Sequence, residues 1–554
     1  MLHALLIKGT FQDSVTLMLL SRDLSALPGV KSVAVMMGTP ANKDVYRETG
    51  HWHDTLAAAT PNDLCLVVDS DSGDPAIAES MAKQVKARLA ELARGRRNAG
   101  YPVVRSWRRA RQLLPDANIA LISIAGHYAF APARQALEDG CHVMMFSDNV
   151  SLEQELELKT VAAMRGLLVM GPDCGTAIIN GAPLAFSNRM PPGPIAIVGA
   201  SGTGIQELAS QIALRGGGVS HALGLGGRDL SEHIGGMSAI TALGLVANDA
   251  ASRVIVFVSK PPAPAVKARV LEAMQAIGKP VVALFLGERP TRCDIGNVHL
   301  VRTLDAAAAL ALELANMDTL AGELPSVARQ GICGLYTGGT LAAEAALLLA
   351  EALDLASDAA HADGYMLRAA GHRIIDLGDD AYTRSRPHPM IDSSSRNEMI
   401  RRLSDDTAIG VLLLDVVLGY GAQPDPAGEV ARAVTALRAA RGDQSPIVAI
   451  ATLTGTAGDP QDRDSQAGKL KEAGIVVADS VRTAVLLATR VIAAKAPAVG
   501  APPALLCAKP AIVNVGLRSF ADDLHANGVQ VVHQQWEPAA GGNERLQRLI
   551  AQMQ

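Results

Sequence analysis

From Val198 to Leu208 the chain reads Val-Gly-Ala-Ser-Gly-Thr-Gly-Ile-Gln-Glu-Leu. The small residues Gly199, Ala200, Ser201, Gly202 and Thr203 leave backbone N–H groups uncovered. A buried strand that ends here and turns into a helix aims those amides and the positive helix end at one place, which suits an anion. The pattern is not the full phosphate loop, because no lysine follows the last glycine, nor is it G-x-G-x-x-G. Taken alone, it describes an empty tight turn equally well. The same plan returns in Leu335–Ala345 (LYTGGTLAAEA), where Gly339, Thr340 and Glu344 answer Gly202, Thr203 and Glu207. Both copies keep Gly-Thr at the head of the helix, with Gly338 just before it in the second, and this favours the anion reading.

Other side chains could act beside such a seat. Lys260, Arg228 and Lys43 could pair with phosphate or carboxylate oxygens, or they could be surface cations. Lys260 is the strongest, since it directly follows a buried apolar run. His388 in RPHPMID could be a general acid or base oriented by Asp392, or a turn histidine fixed between two prolines. Cys174 in GPDCGT could be a nucleophile, but no histidine is near it in sequence, and a small buried thiol suits it better. The doublet Asp379–Asp380 reads as a turn, so no metal site is expected.

The elements that must hold these groups follow from patterning. Apolar runs such as Val33–Met37, Leu64–Val68, Ile119–Ile124, Ile195–Gly199, Val254–Val258, Gly410–Val416 and Pro446–Ala451 alternate with Ala- and Leu-rich helical segments, which argues for α/β architecture with parallel sheets. After each Gly-Thr copy two buried strands follow in the same order, so two related α/β domains are predicted. Breaks at 190–194, 318–331 and 495–503 give units 1–190, 191–325, 326–500 and 501–554. The length of 554 residues suits three or four domains, and 49% hydrophobic content can bury their cores.

Composition also excludes function classes. Fifty basic against fifty-five acidic residues give a net charge of −5 with no long run of either sign, so neither nucleic acid nor a membrane surface is an expected partner. The basic stretch 85–111 reads as a solvated helix and loop. Six scattered cysteines without a C-x-x-C pair suggest neither zinc nor a disulfide framework, and a reducing cytoplasm fits them. No apolar stretch approaches the ~20 residues that span a bilayer.

The chain resembles the FdrA family, itself similar to the subunits of succinyl-CoA synthetase. The likeness runs nearly end to end through MMGTPANK (36–43), MGPDCGT (170–176), GASGTGIQEL (199–208), LGLGGRDLS (223–231), GLYTGGTLAAEA (334–345), RPHPMID (386–392) and VGLRSFADDL (515–524). It implies a Rossmann-like N-terminal domain resembling a CoA-binding domain over 1–190. Two flavodoxin-like domains of the synthetase α and β types follow, then a small C-terminal α/β unit. In the synthetases a phosphohistidine carries phosphate between two helix ends. Here the corresponding loops, 288–297 and 455–466, hold no histidine, and Ser259–Lys260 replaces the glutamate that steadies it.

The helix ends are the part of the phosphate machinery that the resemblance retains. By the β-subunit likeness the second end is the turn Gly419, Tyr420 and Gly421, with Gly338–Thr340 as the alternative from the repeat. The resemblance implies one component of oxamate carbamoyltransferase in anaerobic allantoin degradation, exchanging carbamoyl phosphate and oxamate with phosphate and oxalurate. Lys260 and His388 would be catalytic. Companion subunits and an oligomeric assembly are implied, with Trp536 and Arg518 of the C-terminal unit as a docking point or, equally, as part of a cap on the chain's own sheet. An acyl-CoA ligase that uses CoA is the alternative, and a non-catalytic metabolite-binding subunit a third reading. The residues fix no cofactor, and CoA is the one that the likeness suggests.

Overall fold

The computed structural model describes residues 1–538 apart from 11, 13, 72–75, 96–99, 291–293, 326, 328, 329, 356–361, 444 and 494–502. Most of the break expected at 495–503 and the last residues of the expected C-terminal unit, 539–554, therefore lie outside the described residues. Four sheets carry the fold, and among the described residues no helix is long and apolar enough to cross a membrane.

The first sheet joins β1 (Leu2–Ile7), β2 (Val30–Met37) and β3 (Leu64–Ser70) in the order β1-β3-β2, antiparallel throughout. One face packs on Leu17, Leu20 and Leu24 of the helix Ser14–Ser25 and on Met81, Ala82 and Val85 of the helix Ala76–Gly95. The other face covers Tyr46, Leu56 and Cys65. The second sheet begins with β4 (Val103–Val104), β5 (Ile119–Ile122), β6 (His142–Met145) and β7 (Val169–Met170).

The third sheet contains β8 (Thr176–Ile179), β9 (Ala182–Ala185), β10 (Ile195–Gly199), β11 (Val219–Gly224), β12 (Val254–Ser259), β13 (Val281–Phe285), β14 (Asp294–Ile295) and β15 (Val298–Val301), in the order β14-β15-β13-β12-β10-β11-β8-β9. Its five central strands β15-β13-β12-β10-β11 are parallel. Their order reverses between β10 and β12, and in doubly wound sheets such a switch point opens the crevice where ligands bind.

The fourth sheet repeats this plan with β16 (Gly331–Tyr336), β17 (Tyr365–Ala369), β18 (His372–Asp376), β19 (Ile409–Val417), β20 (Val448–Thr454) and β21 (Val476–Ala478), in the order β17-β18-β16-β19-β20-β21. The five strands from β18 to β21 are parallel, and the switch lies between β16 and β19. The doubly wound pair expected from the repeat is thus present.

The ends of the chain differ from the expectation. Residues 1–190 divide among three sheets, since β1–β3 stand apart and β8–β9 extend the third sheet through an antiparallel pair with β11. Nor does the C-terminal segment form a unit of its own. Its strands β22 (Ala511–Val515) and β23 (Gln530–Gln534) complete the second sheet in the order β4-β23-β22-β5-β6-β7, all parallel. Ile512 pairs with Ile119 and Val515 with Ile122. Trp536 lies 5.0 Å from Tyr128, ring centroid to centroid, and Arg518 sits 3.7 Å from Asp522. Both residues assigned to a companion contact thus engage their own chain. The reason is elementary: a parallel strand buried on both faces needs neighbours on both edges.

Removal of residues 505–554 should therefore leave β5 as an open edge and uncover the core around Ile119 and Leu121. We expect an aggregating chain with a lost or strongly lowered thermal transition by circular dichroism. A truncation that melts like the full chain would contradict this topology.

Candidate functional site

At the first switch point β10 ends in Gly199, where a Cβ would come within 2.8 Å of both Ile205 and Val258. Only glycine lets the helix Gly202–Leu214 start so close to the sheet. Ser201 is its N-cap and accepts the Gly204 amide at 3.2 Å, while the Ala200 amide donates to Val258 O at 3.0 Å. The Gly202 and Thr203 amides donate to no protein acceptor among the described residues. Gly199 pairs with Val258, so Lys260 stands two residues beyond that level on the neighbouring strand end. It is exposed and has no ion-pair partner among the described residues. The turn thus presents free amides, with an exposed cation following the neighbouring strand, which suits an anionic group.

Arg228 does not join this seat. Its guanidinium lies 2.8 Å from Glu155 Oε2 and donates to Val150 O at 2.7 Å. It is the rim of a buried charge cluster that the sequence reading missed. Lys159 Nζ donates to Glu155 Oε1 at 2.9 Å, to Asp229 Oδ1 at 2.8 Å and to Leu225 O at 3.3 Å. All three charged side chains are at most 1% exposed. Asp229 also accepts the Ser238 and Ala239 amides at 3.0 Å, capping the helix Met237–Asn248, whose own N-cap is Gly236. The cluster clamps the helix Leu152–Met164 beside the second sheet to the loop after β11. A Glu and a Lys four residues apart on an otherwise apolar helix face were the available signal.

At the second switch point a carboxylate stands at the start of the helix. Asp415 on β19 is wholly buried and accepts the Thr337 and Gly338 amides at 2.8 Å each, together with the Thr337 hydroxyl. Arg396, 2% exposed, donates to Asp415 O at 2.7 Å and to its Oδ1 at 3.4 Å. Burial pushes the Asp415 carboxyl above the usual range, opposed by Arg396 and the two amides. Asp376 closes in on Gly339, where a Cβ would meet its Oδ2 at 2.7 Å. Thr340 follows, exposed. An anion arriving at Gly338–Thr340 would meet two carboxylates.

The third glycine turn has its first residue tied to Gln461. The Gly419 amide donates to Gln461 Oε1 at 3.0 Å, and Gln461 Nε2 returns a bond to Gly419 O at 2.9 Å. Gly419 and Gly421 take positive φ of 127° and 83°, and Tyr420 is 89% exposed. The helix Pro426–Arg441 behind them is capped by Asp425 and Gln466. Asp415 and Gln461 thus take the Thr337, Gly338 and Gly419 amides, while the Gly339 and Thr340 amides, which answer Gly202 and Thr203, donate to no protein acceptor among the described residues. What sets the second helix end apart is the pair of carboxylates, Asp415 and Asp376, beside it.

His388 comes to the carboxyl end of β18, where its Nδ1 accepts the Met390 amide at 3.3 Å. Asp392 does not orient it, since that carboxylate accepts the Ser394 amide at 2.9 Å and the Ser394 hydroxyl. Asp376 is the neighbouring carboxylate, and burial raises its pKa. Asp379 accepts the Ala381 amide at 2.8 Å as a turn residue. Lys43 donates to Ala57 O and Ala59 O inside the first unit. Cys174 is 3% exposed, and burial pushes its thiol up to about 11, so it stays protonated at neutral pH. Among the described residues no cluster of His, Cys, Asp and Glu could hold a metal ion.

With this geometry the comparisons agree on a class. Residues 335–491 match a family model described as CoA-ligase, and residues 191–287 one described as a CoA binding domain. The chain is a mixed α/β protein with doubly wound domains of the succinyl-CoA synthetase type. Residues 1–102 match the model "AllF, heavy metal-associated domain". Soft metals need thiolate or imidazole ligands. These residues hold one cysteine, Cys65, fully buried with its thiol pushed up to about 11, and three histidines. Of these, His51 is bonded to Ser32 and Thr49 through its two ring nitrogens and His53 accepts the Thr55 amide, and among the described residues they form no group that could hold a metal ion. The residues present do not fit such a metal.

The chain belongs to the family of the uncharacterized protein YahF of Escherichia coli (strain K12), with which it is 39% identical over 507 residues, covering 87% of this chain and 97% of YahF. Among solved structures, a dinucleotide-forming acetyl-coenzyme A synthetase 1 from Ca. Korarchaeum cryptofilum aligns at 14% identity and a TM-score of 0.39, over 68% of this chain and 82% of that one. An ATP citrate lyase from Methanothrix soehngenii aligns at 17% identity and a TM-score of 0.32, over 39% and 41%.

The charge cluster gives a direct test. Lys159→Met leaves Glu155 and Asp229 buried without their shared cation and should cost about 3–5 kcal/mol in denaturant unfolding. A loss below about 1 kcal/mol would show that water or Arg228 replaces the lysine.

Proposed function

We propose that this chain is the acyl-transfer component of a CoA-ligase-type enzyme, one that receives its acyl group already activated as an acyl phosphate. The observation that carries this reading is the contrast between the two switch points. One has free Gly202 and Thr203 amides with Lys260 on the neighbouring strand end, and the other has Asp415 on the Thr337 and Gly338 amides and Asp376 against Gly339. A phosphohistidine relay needs two phosphate seats and a histidine to move between them. Here one seat is open, and the loops after β13 and β20 carry no histidine. A phosphate that enters as part of the substrate needs only one seat.

The chemistry follows from positioning. An acceptor nucleophile attacks the acyl carbon, the bond from that carbon to the phosphate oxygen breaks, and phosphate leaves with the electron pair. The Gly202 and Thr203 amides and Lys260 hold the departing dianion, while the proton of the nucleophile passes to a base. The matches to the CoA-ligase and CoA-binding models favour CoA as acceptor, its thiol forming a thioester. The match to the AllF model, together with the histidine-free loops, favours a second reading. There carbamoyl phosphate is the donor and the oxamate nitrogen the acceptor, giving oxalurate and phosphate in allantoin degradation. On either reading companion subunits supply what this chain lacks, and the assembly is oligomeric.

Calorimetric titration of the pure chain with CoA and with carbamoyl phosphate separates the two. Lys260→Ala should weaken binding of the phosphate-bearing ligand by about tenfold or more, the scale of one charge-assisted hydrogen bond. Labelled ATP or carbamoyl phosphate should leave no acid-labile, base-stable label on the chain. Stoichiometric phosphohistidine would return the protein to the phosphoenzyme mechanism.

A further inference from the structure

The first sheet has two edges, and the chain closes one of them. The order β1-β3-β2 makes β1 and β2 both edge strands. Along β2 the Val33 amide donates to Ser25 Oγ and the Val35 amide to Ser21 Oγ, each at 2.9 Å, so the helix Ser14–Ser25 takes groups that point away from β3. Along β1 the phase of the ladder is set at Met1, whose N donates to Ser70 O at 2.7 Å and whose O accepts the Ser70 amide at 3.2 Å. In an antiparallel ladder the bonded residues alternate. His3, Leu5 and Ile7 therefore bond to Val68, Leu66 and Leu64, while Leu2, Ala4 and Leu6 turn amide and carbonyl outward. Among the described residues nothing takes these groups. Nor does the strand carry the usual protection of an edge, for Leu2–Ile7 holds no proline, lysine or bulge. The topology shows what the position lacks. After β3 the helix Ala76–Gly95 packs on β1. A strand that followed this helix in the same sheet would lie beside β1 and run antiparallel to it, as in the split βαβ motif. Instead the chain leaves the sheet, and Val103–Val104 joins the second sheet next to β23.

We propose that β1 of a second copy of this chain takes the open position across a twofold axis, joining two three-stranded sheets edge to edge. A twofold axis makes the two strands antiparallel, which is the direction the position requires. One register uses every outward group: Ala4 faces the partner's Ala4, and Leu2 faces the partner's Leu6. Leu2, Ala4 and Leu6 also share the face of the sheet that covers Tyr46 and Leu56, so the cross-strand leucine pairs carry that apolar layer over the axis. Charge stays outside the pairing, with the Met1 ammonium on Asp69 at 3.0 Å at one end and Lys8 past Ile7 at the other. A free peptide would have to give up its conformational freedom to fit, whereas a second β1 is already held extended by its own β3. The strand pair alone buries less than the about 1,200–2,000 Å² of a stable interface. The helix Ala76–Gly95 and the 3₁₀ turn Asp54–Ala58 both pack on β1 and flank the axis. A reversible dimer with a dissociation constant of about micromolar order is therefore expected. It stands apart from the acyl-transfer reading and does not depend on it.

The test is the association state of the full chain by sedimentation velocity. Wild-type protein should pass from monomer to dimer as its concentration rises through the micromolar range. Ala4→Pro removes an amide that points outward, which an edge strand tolerates, and sets its ring between the two strands. It should raise the dissociation constant about tenfold or more, because both bonds between the two copies of Ala4 are lost, with circular dichroism checking the fold. Cross-linking reads the register in a Cys507→Ser background, Cys507 being the exposed one among the described cysteines, and that parent serves as control. In a bonded antiparallel pair the Cα atoms lie about 5.5 Å apart, within disulfide reach, so Ala4→Cys should give a covalent dimer on mild oxidation. Leu5→Cys, one position off the axis, should not. A chain that stays monomeric at about 100 μM, a dimer that Ala4→Pro leaves unchanged, or equal cross-linking through both positions overturns the pairing. So does a monomer whose β1 edge binds a strand of a companion protein instead. Should Ala4→Pro fail to fold, the two cysteine variants decide on their own.

Discussion

The Asp415 carboxylate decides how the two halves of this molecule differ. It rises from β19 into the place where the helix Gly339–Ala352 begins, takes the amides of Thr337 and Gly338, and is held from the far side by Arg396. An anion at a helix N-terminus gains about 0.3–1 kcal/mol, more when buried. A carboxylate fixed to the neighbouring strand reaches that position without losing the translational freedom that a ligand must give up. It therefore excludes a free anion by occupancy as well as by charge.

From this one residue the division of labour follows. Both repeats end a first strand in a glycine turn and place a later strand of the repeat, β12 or β19 and here called the third, on the side away from β11 or β18. In the first, the third strand brings Val258, Ser259 and then the exposed Lys260 to the turn, and only Ser201 caps the helix. In the second, the third strand brings Asp415. The same backbone plan thus carries an open positive turn in one copy and a self-neutralised one in the other.

Much of the architecture was legible, because a parallel strand buried on both faces writes a continuous apolar run and the Gly-Thr turns repeat. The antiparallel first sheet was not. β3 is covered on one face by helices and on the other by Tyr46 and Leu56, so Leu64–Val68 shows the unbroken run of a parallel strand. Periodicity reports burial and is silent about direction. It is equally silent about partners, and nothing in Ala511–Val515 says that its neighbour is Ile119–Ile122. The site was half legible. Gly199–Thr203 forms the strand-to-helix turn that its small residues suggest, and Lys260 follows the neighbouring strand. Arg228, by contrast, was drawn as a ligand because its partner Glu155 lies on a different element. Asp415 was passed over inside GVLLLDV, although a lone carboxylate in a buried run must find donors.

The closure of the chain on itself also reaches the open seat. Phe146 follows β6, Phe520 lies in the helix Arg518–Ala526, and Phe186 follows β9. Their rings meet edge to face at 5.0–6.0 Å. Phe186 is anchored by its amide on Gly175 O and by the Thr176 hydroxyl on its carbonyl, each at 2.8 Å. Thr176 in turn is the nearest neighbour of Gly202, at 3.3 Å from where a Cβ would stand. A contact path therefore runs from the C-terminal segment through three aromatic rings to the first residue of the anion-facing helix. Phe186 remains 56% exposed although its backbone is fixed on both sides, so its ring is held in place beside the turn and does not fold back into the core. The C-terminal strands thus support the second sheet and, through Phe520, the wall next to Gly202, and this ties the position of the open seat to a segment more than 300 residues away in sequence.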